Sequence, residues 1–325
     1  MSKVIFKNSL FNLIGIIFPI IIGLVSIPFL LNKIGSENLG ILYLIWALIG
    51  YTGLFDLGIG KGLIQLIGFN YGKENNSEIG RLIFTSFIIS LSIGLVFVLV
   101  SFYFSKPISQ IQSISYIENL ELIVKLLGLS TIPTLLISLF RSIMEARSFF
   151  LIINIIKIPN NIWLFISPVV LVLMDDFTIS NTIILIIIGK MFFLIVYILF
   201  FLKKFKKYLK KLSFKYSTAL SILNYGGWIS VINILNPLIA YFDRFIIISL
   251  ISATAVTIYI TPYELSTKVW IIPGAISSVL YPLLSTDLQN NKNLISKYFQ
   301  FEKINNTIVL PILIFIIFFS EQIID

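Results

Sequence analysis

Two ionic residues, Asp56 and Lys61, interrupt a run that is otherwise almost pure hydrocarbon, ILYLIWALIGYTGLFDLGIGKGLIQLIG (residues 41–68). An ionic group at membrane depth costs several kcal/mol unless it faces a partner or a wet cavity, so such a run reads first as the lining of a path for something polar. Spacing decides which charges can meet. Five residues apart, Asp56 and Lys61 point about 140° away from each other on a regular helix. They meet only if the turn between them is distorted, which Gly58, Gly60 and Gly62 permit. Lys61 is equally well placed to snorkel to the nearer interface.

The same arithmetic sorts the other buried charges. Glu264 and Lys268 are i, i+4 and share a helix face, as do Glu118, Glu121 and Lys125. Lys190 sits midway along an apolar stretch with no partner in its own helix, and Lys157 is close enough to a span end to snorkel. Asp243 and Arg244 are adjacent, about 100° apart on a helix, and are no simple pair. Cations exceed anions at depth, which points to an anionic passenger. The candidate lumen residues are Lys190, Lys268, Lys125, Lys61 and Arg244, with Lys190 and Lys268 the strongest because neither reaches an interface easily. Asp56, Glu264 and Asp243 are the candidate carriers of a coupling ion.

The elements that hold these residues follow from composition. Of 325 residues 58% are hydrophobic and 12% charged, and the mean hydropathy is +1.00. That is a polytopic membrane protein, all-α. With no cysteine and no histidine, disulfides, cysteine zinc sites and Ser–His or Cys–His catalysis are excluded. No metal or cofactor is expected, and the chain reads as a non-enzyme. A span needs about 20 apolar residues. Candidates fall at 9–31, 40–68, 82–104, 119–142, 150–174, 181–202, 217–250, 253–284 and 304–323, about nine in all. No connecting loop is long enough to fold as a domain.

Lys and Arg set the orientation. With the N-terminus inside, only Lys33, Lys106 and Arg244 fall on outer segments, so the N-terminus is expected in the cytoplasm and the net charge of +9 needs no nucleic-acid partner. The one strong charge run, KKFKKYLKKLSFK from Lys203 to Lys215, reads best as an anchor to anionic lipid headgroups. It also divides the chain into an N-terminal six-helix half (1–202), a basic cytoplasmic linker (203–216) and what reads as an incomplete C-terminal half of about three helices (217–325). Pro19 and Pro28 in the first span, and Pro262, Pro273 and Pro282 in the eighth, fit bending transporter helices or kinks that serve packing alone. SENLGILY (36–43) and SATAVTIY (252–259) open two spans of like orientation, as in a parallel repeat.

The segments KNSLFNLIG, IPFLLNKIGSENLGILYLIWALIGYTGLFDLGIGKGL, YFDRFIIISLISATAVTIYITPYEL and SSVLYPLLSTDL resemble O-antigen and polysaccharide-export oligosaccharide flippases. These belong to the multidrug/oligosaccharidyl-lipid/polysaccharide (MOP) exporter superfamily. The resemblance implies two six-helix halves around a central cleft that opens alternately to either side of the bacterial cytoplasmic membrane. It implies a polyprenyl-pyrophosphate-linked oligosaccharide as substrate, with a polysaccharide polymerase and other assembly proteins as further partners. Such proteins have twelve or more spans, so a chain of about nine reads as C-terminally truncated. Two other functions compete. An ion-coupled multidrug exporter would favour an acidic cavity, against the excess of buried lysine. A membrane polysaccharide polymerase or ligase generally needs a large outer loop with Arg or His, and Asp175–Asp176 is a poor metal site.

Overall fold

In membrane helices close approach relies on small side chains rather than on hydrophobic drive, and the sequence places them in register on two neighbours. Ser86, Ser90 and Gly94 recur every four residues on α3 (Asn76–Ser109), followed by Ser101 and Ser105. Gly94 and Ser101 meet Thr131 and Gly128 on α4 (Leu120–Glu145). A Cβ on Gly94 would come within 2.9 Å of Ile132, and one on Gly128 would overlap Ser101. The two helices pack along much of their length.

The computed structural model describes residues 2–52, 56, 58–72, 75–112, 114, 116–147, 149–270, 273 and 294–319. They are mostly helical, with no strand among the described residues. The remaining elements are α1 (Ser2–Thr52), α2 (Ile59–Gly72), α5 (Phe150–Leu173), α6 (Ile179–Phe205), a 3₁₀ turn (Lys206–Lys211), α7 (Tyr216–Leu250), α8 (Ala253–Lys268) and α9 (Leu294–Phe318). Five stretches, Phe18–Gly50, Asn76–Ser109, Leu120–Glu145, Phe150–Leu173 and Ile179–Tyr208, are long and apolar enough to cross a membrane. The chain is a multi-pass membrane protein.

Two expectations about the helices need correction. The first two predicted spans are not separated by a loop. α1 runs through both, broken only at Gly35 (φ 78°, ψ 168°), and it continues past Pro19 and Pro28. The second span, expected as one helix over 40–68, instead ends at Thr52 and resumes at Ile59. Gly58 there takes φ 67°, which favours glycine. The later part of the eighth predicted span lies largely outside the described residues.

Two compact units are present, residues 14–256 and a second made of 1–13 with 257–325. In the first, α2 presents Ile59, Leu63 and Ile67 every four residues to a core shared with Leu82 and Ile83 of α3, Leu139 and Ile143 of α4 and Phe201 of α6. Trp163 of α5 lies against Gly189 of α6, where a Cβ would overlap its ring, and donates its indole N–H to the Leu185 carbonyl at 2.9 Å. The basic segment is tied down. Arg147 stacks on the Tyr71 ring at 3.6 Å and donates to the Tyr208 hydroxyl at 2.7 Å, with Tyr208 in the 3₁₀ turn and Tyr71 in α2.

Candidate functional site

A helix beginning inside a bundle leaves its first N–H groups without intrahelical acceptors. At the start of α2 the Asp56 carboxylate supplies one. Its Oδ1 accepts the Gly58 N–H at 2.9 Å, and the carboxylate also accepts from the Gly60 N–H and from the Ser138 hydroxyl of α4. The Asp56 carbonyl takes the Ile59 N–H at 2.9 Å. A negative charge at a helix N-terminus is further favoured by the helix dipole. Gly60 permits the approach, because a Cβ there would lie 2.6 Å from Ser142 Oγ and 3.1 Å from Asp56 Oδ2.

The cation facing Asp56 is Arg141 of α4, whose Nε is buried without a hydrogen-bond partner among the described residues. Arg141 also acts on Lys157 of α5, where Glu145 works in the opposite sense. Arg141 thus acts on both Asp56 and Lys157, and Glu145 on Lys157, in a loose cluster across the α2 start, α4 and α5 with no ion pair among these described residues. Lys61 is not part of it: it is exposed on the opposite face of α2. The "DLGIGKG" run is therefore a capped helix break rather than an ion pair.

Lys190 is the second feature. Its ammonium group donates to Thr134 Oγ1 on α4 at 2.5 Å. Among the described residues the ion pairs are Arg81–Glu78, Lys125–Glu121 and Lys268–Glu264, so Lys190 has no carboxylate partner there. A hydroxyl solvates a cation without neutralising it.

The other predicted residues fall elsewhere. Lys125 pairs with Glu121 at 2.5 Å and sits 5.8 Å from the Phe102 ring centre. Glu118 lies before α4, ahead of Asn119 in the left-handed region, and so does not continue that helix face. Lys268 pairs with Glu264 at 2.5 Å as the spacing predicts, but its side chain is 43% exposed, so it is not the buried cation expected. That pair lies in the second unit. Arg244 is buried, with its guanidinium 4.4 Å from the Tyr241 ring centre. Asp243 Oδ1 accepts the backbone N–H of Arg244 at 2.7 Å.

Sequence reasoning misses Arg141, Ser138 and Glu145 as site residues, because Arg141 counts there among the inner-loop cations. The signal that could have found them is the i, i+3 spacing of Ser138 and Arg141 on a helix that runs on to Glu145.

The sequence profile of the polysaccharide biosynthesis protein family Polysacc_synt_3 matches residues 34–325. The chain belongs to this family. It is also similar to a Shigella flexneri protein named "Putative O-antigen transporter", 32% identical over 285 residues, covering 86% of this chain and 66% of that protein. The chain thus spans just under two thirds of the length of that relative. Among solved structures, an inward-facing multidrug resistance MATE family transporter of the MOP superfamily superposes with TM-score 0.72 at 16% identity, over 97% of this chain and 71% of that one. A MOP superfamily transporter from Pyrococcus furiosus, described as having a binding pocket of reverse polarity, superposes with TM-score 0.68 at 14% identity, over 99% and 73%. At these identities the likeness is one of fold. This member of the polysaccharide biosynthesis family has the fold of the MATE family transporters.

Proposed function

We propose that this chain is part of a flippase that moves a polyprenyl-pyrophosphate-linked oligosaccharide across the bacterial cytoplasmic membrane by alternating access. The observation that carries the reading is Lys190, a cation within the α4–α6 packing held by the Thr134 hydroxyl and by no carboxylate among the described residues. A buried charge of that kind favours a phosphate-bearing passenger. Family membership supports the surface-polysaccharide context.

Lys190 is assigned to the substrate path, with Lys125, Lys61 and Arg244 as further contacts. Asp56 is the first candidate for ion coupling, ahead of Glu264 and Asp243. The fold is read as two halves, 1–202 and 217–325, of which the second is shorter, with about nine spans and a cytoplasmic N-terminus. The segment from Lys203 to Lys215 joins them and binds anionic lipid, and polymerase and other assembly proteins are the further partners. The cations Lys190 and Arg244 within the helix packing disfavour a drug exporter of cationic compounds.

The test is complementation of a flippase-deficient strain with the longest reading frame containing this chain. Lys190→Ala is expected to abolish surface polysaccharide while lipid-linked precursor accumulates in the inner leaflet. Wild-type polysaccharide from that variant would remove Lys190 from the path. In proteoliposomes, transport unaffected by collapse of proton and sodium gradients would remove the coupling role of Asp56.

A further inference from the structure

A cavity of about 700 Å³ lies among α1, α3, α4 and α7 in the unit 14–256, within the size range of small-molecule sites. Its wall includes Leu44, Phe97, Phe104, Ile123, Leu127 and Phe245. Three lining residues carry hydroxyls, Thr52, Ser101 and Thr131, and each gives its proton to its own helix. Thr52 donates to the Ile49 carbonyl at 2.8 Å, Ser101 to Val98 at 2.8 Å and Thr131 to Gly128 at 2.7 Å.

No side-chain donor therefore remains among the described lining residues to hold a phosphate or to recognise a sugar. A water cluster would need several polar partners per molecule that this wall lacks. Left empty, a void of this size deprives its whole lining of contacts. Phe104 and Phe242 in the wall are also surface-exposed, so the space communicates with the outside of the unit, where lipid chains would lie. The occupant that satisfies all of this is hydrocarbon. Four phenylalanines, Phe97, Phe104, Phe242 and Phe245, line a space broad enough for a methyl-branched, unsaturated chain. Beyond the wall, Lys106 and Lys125 both act on Glu121.

We infer that this cavity receives part of the isoprenoid chain of the lipid-linked passenger, an assignment that rests on the proposed flippase reading. A chain held there would keep the lipid beside the protein while its head group moves, a role separate from the cationic contacts at Lys190.

The test uses the full chain in proteoliposomes with two photoreactive probes, a diazirine-bearing polyprenyl phosphate without sugar and a diazirine-bearing phosphatidylglycerol. Cross-linked peptides are mapped by mass spectrometry. The polyprenyl probe is expected to label the peptides carrying Phe104 and Ile123, and unlabelled polyprenyl phosphate should compete. Leu127→Trp, which fills the space, should remove most of the labelling, while Leu127→Ala should retain it. Both variants are compared at wild-type monodispersity, and Leu48→Trp replaces Leu127→Trp if that variant does not fold. Labelling confined to other helices, no competition, or equal labelling of these peptides by the phosphatidylglycerol probe would overturn the assignment. Because the probe bears no sugar and nothing is transported, cavity labelling in a protein that fails complementation would sink the flippase reading alone.

Discussion

Replacing Asp56 tests whether it is chiefly a cap for α2. The side chain accepts from the Gly58 N–H at 2.9 Å, and the Gly60 N–H, the Ser138 hydroxyl and the Arg141 charge also favour its charged form. Losing a helix N-terminal acceptor costs about 1 kcal/mol, and a hydrogen bond to a charged group contributes about 1.5–3 kcal/mol. Asp56 is only partly buried, so the sum is discounted, and Asp56→Ala is expected to lose about 3 kcal/mol. Asp56→Asn keeps one oxygen for Gly58 but not the charge, and should lose about 1–2 kcal/mol. Arg141→Leu should also destabilise alone, and the double variant should lose about 1–2 kcal/mol less than the sum of the singles. At roughly 2 °C per kcal/mol for a chain of this size, Asp56→Ala should melt about 6 °C lower. Tryptophan fluorescence reports it, since Trp46 and Trp163 lie in the same compact unit as Asp56. An Asp56→Ala melt within about 1 °C of wild type, or strict additivity with Arg141→Leu, would refute the cap.

Gly58→Ala forces a side chain into φ 67° and should cost about 1–2 kcal/mol, with Gly58→Asn milder, read in the same melt. Gly189→Ala would drive a methyl into the Trp163 ring and should destabilise by about 1–3 kcal/mol. Adding Trp163→Leu should recover part of that loss, and no recovery would count against the contact. Arg147→Ala removes the Tyr71 stack and the Tyr208 hydrogen bond, a local loss of about 1–2 kcal/mol. Limited trypsin digestion should then cut the lysine-rich segment after α6 faster than in the wild type, and an unchanged rate would show that the clasp does not hold it.

The helices are legible in the sequence because long apolar runs leave the backbone no other way to satisfy its polar groups in a bilayer. The pair Glu264–Lys268 is legible too, since the i, i+4 spacing of a helix is enough to bring the two side chains together. Burial is not, because spacing says which side chains meet and nothing about what covers them, and Lys268 is exposed. The break before α2 is half legible. The glycines show that the turn can distort, but only the three-dimensional packing shows that Asp56 turns to its own helix start and to α4 instead of to Lys61. Arg141 is hidden because basic residues near span ends double as topology signals. α4 runs three residues past its predicted end at Ser142, so Arg141 lies within the helix and not at its last turn.

The single-residue joint at Gly35 makes the chain unequally tolerant of length change. Where Asp175 and Asp176 form an exposed turn between α5 and α6, one added residue would only lengthen a surface bend. One residue added beside Gly35 would re-phase everything after it by about 100°. Leu39, Leu42 and Tyr43, now buried at 0%, 0% and 2% exposure, would swing out of the core together. Trp46 would leave its edge-on contact with Phe165, now 5.0 Å between ring centres. The joint thus acts as a phase lock between two helical arms, and a tag or reporter inserted there would report on a different protein.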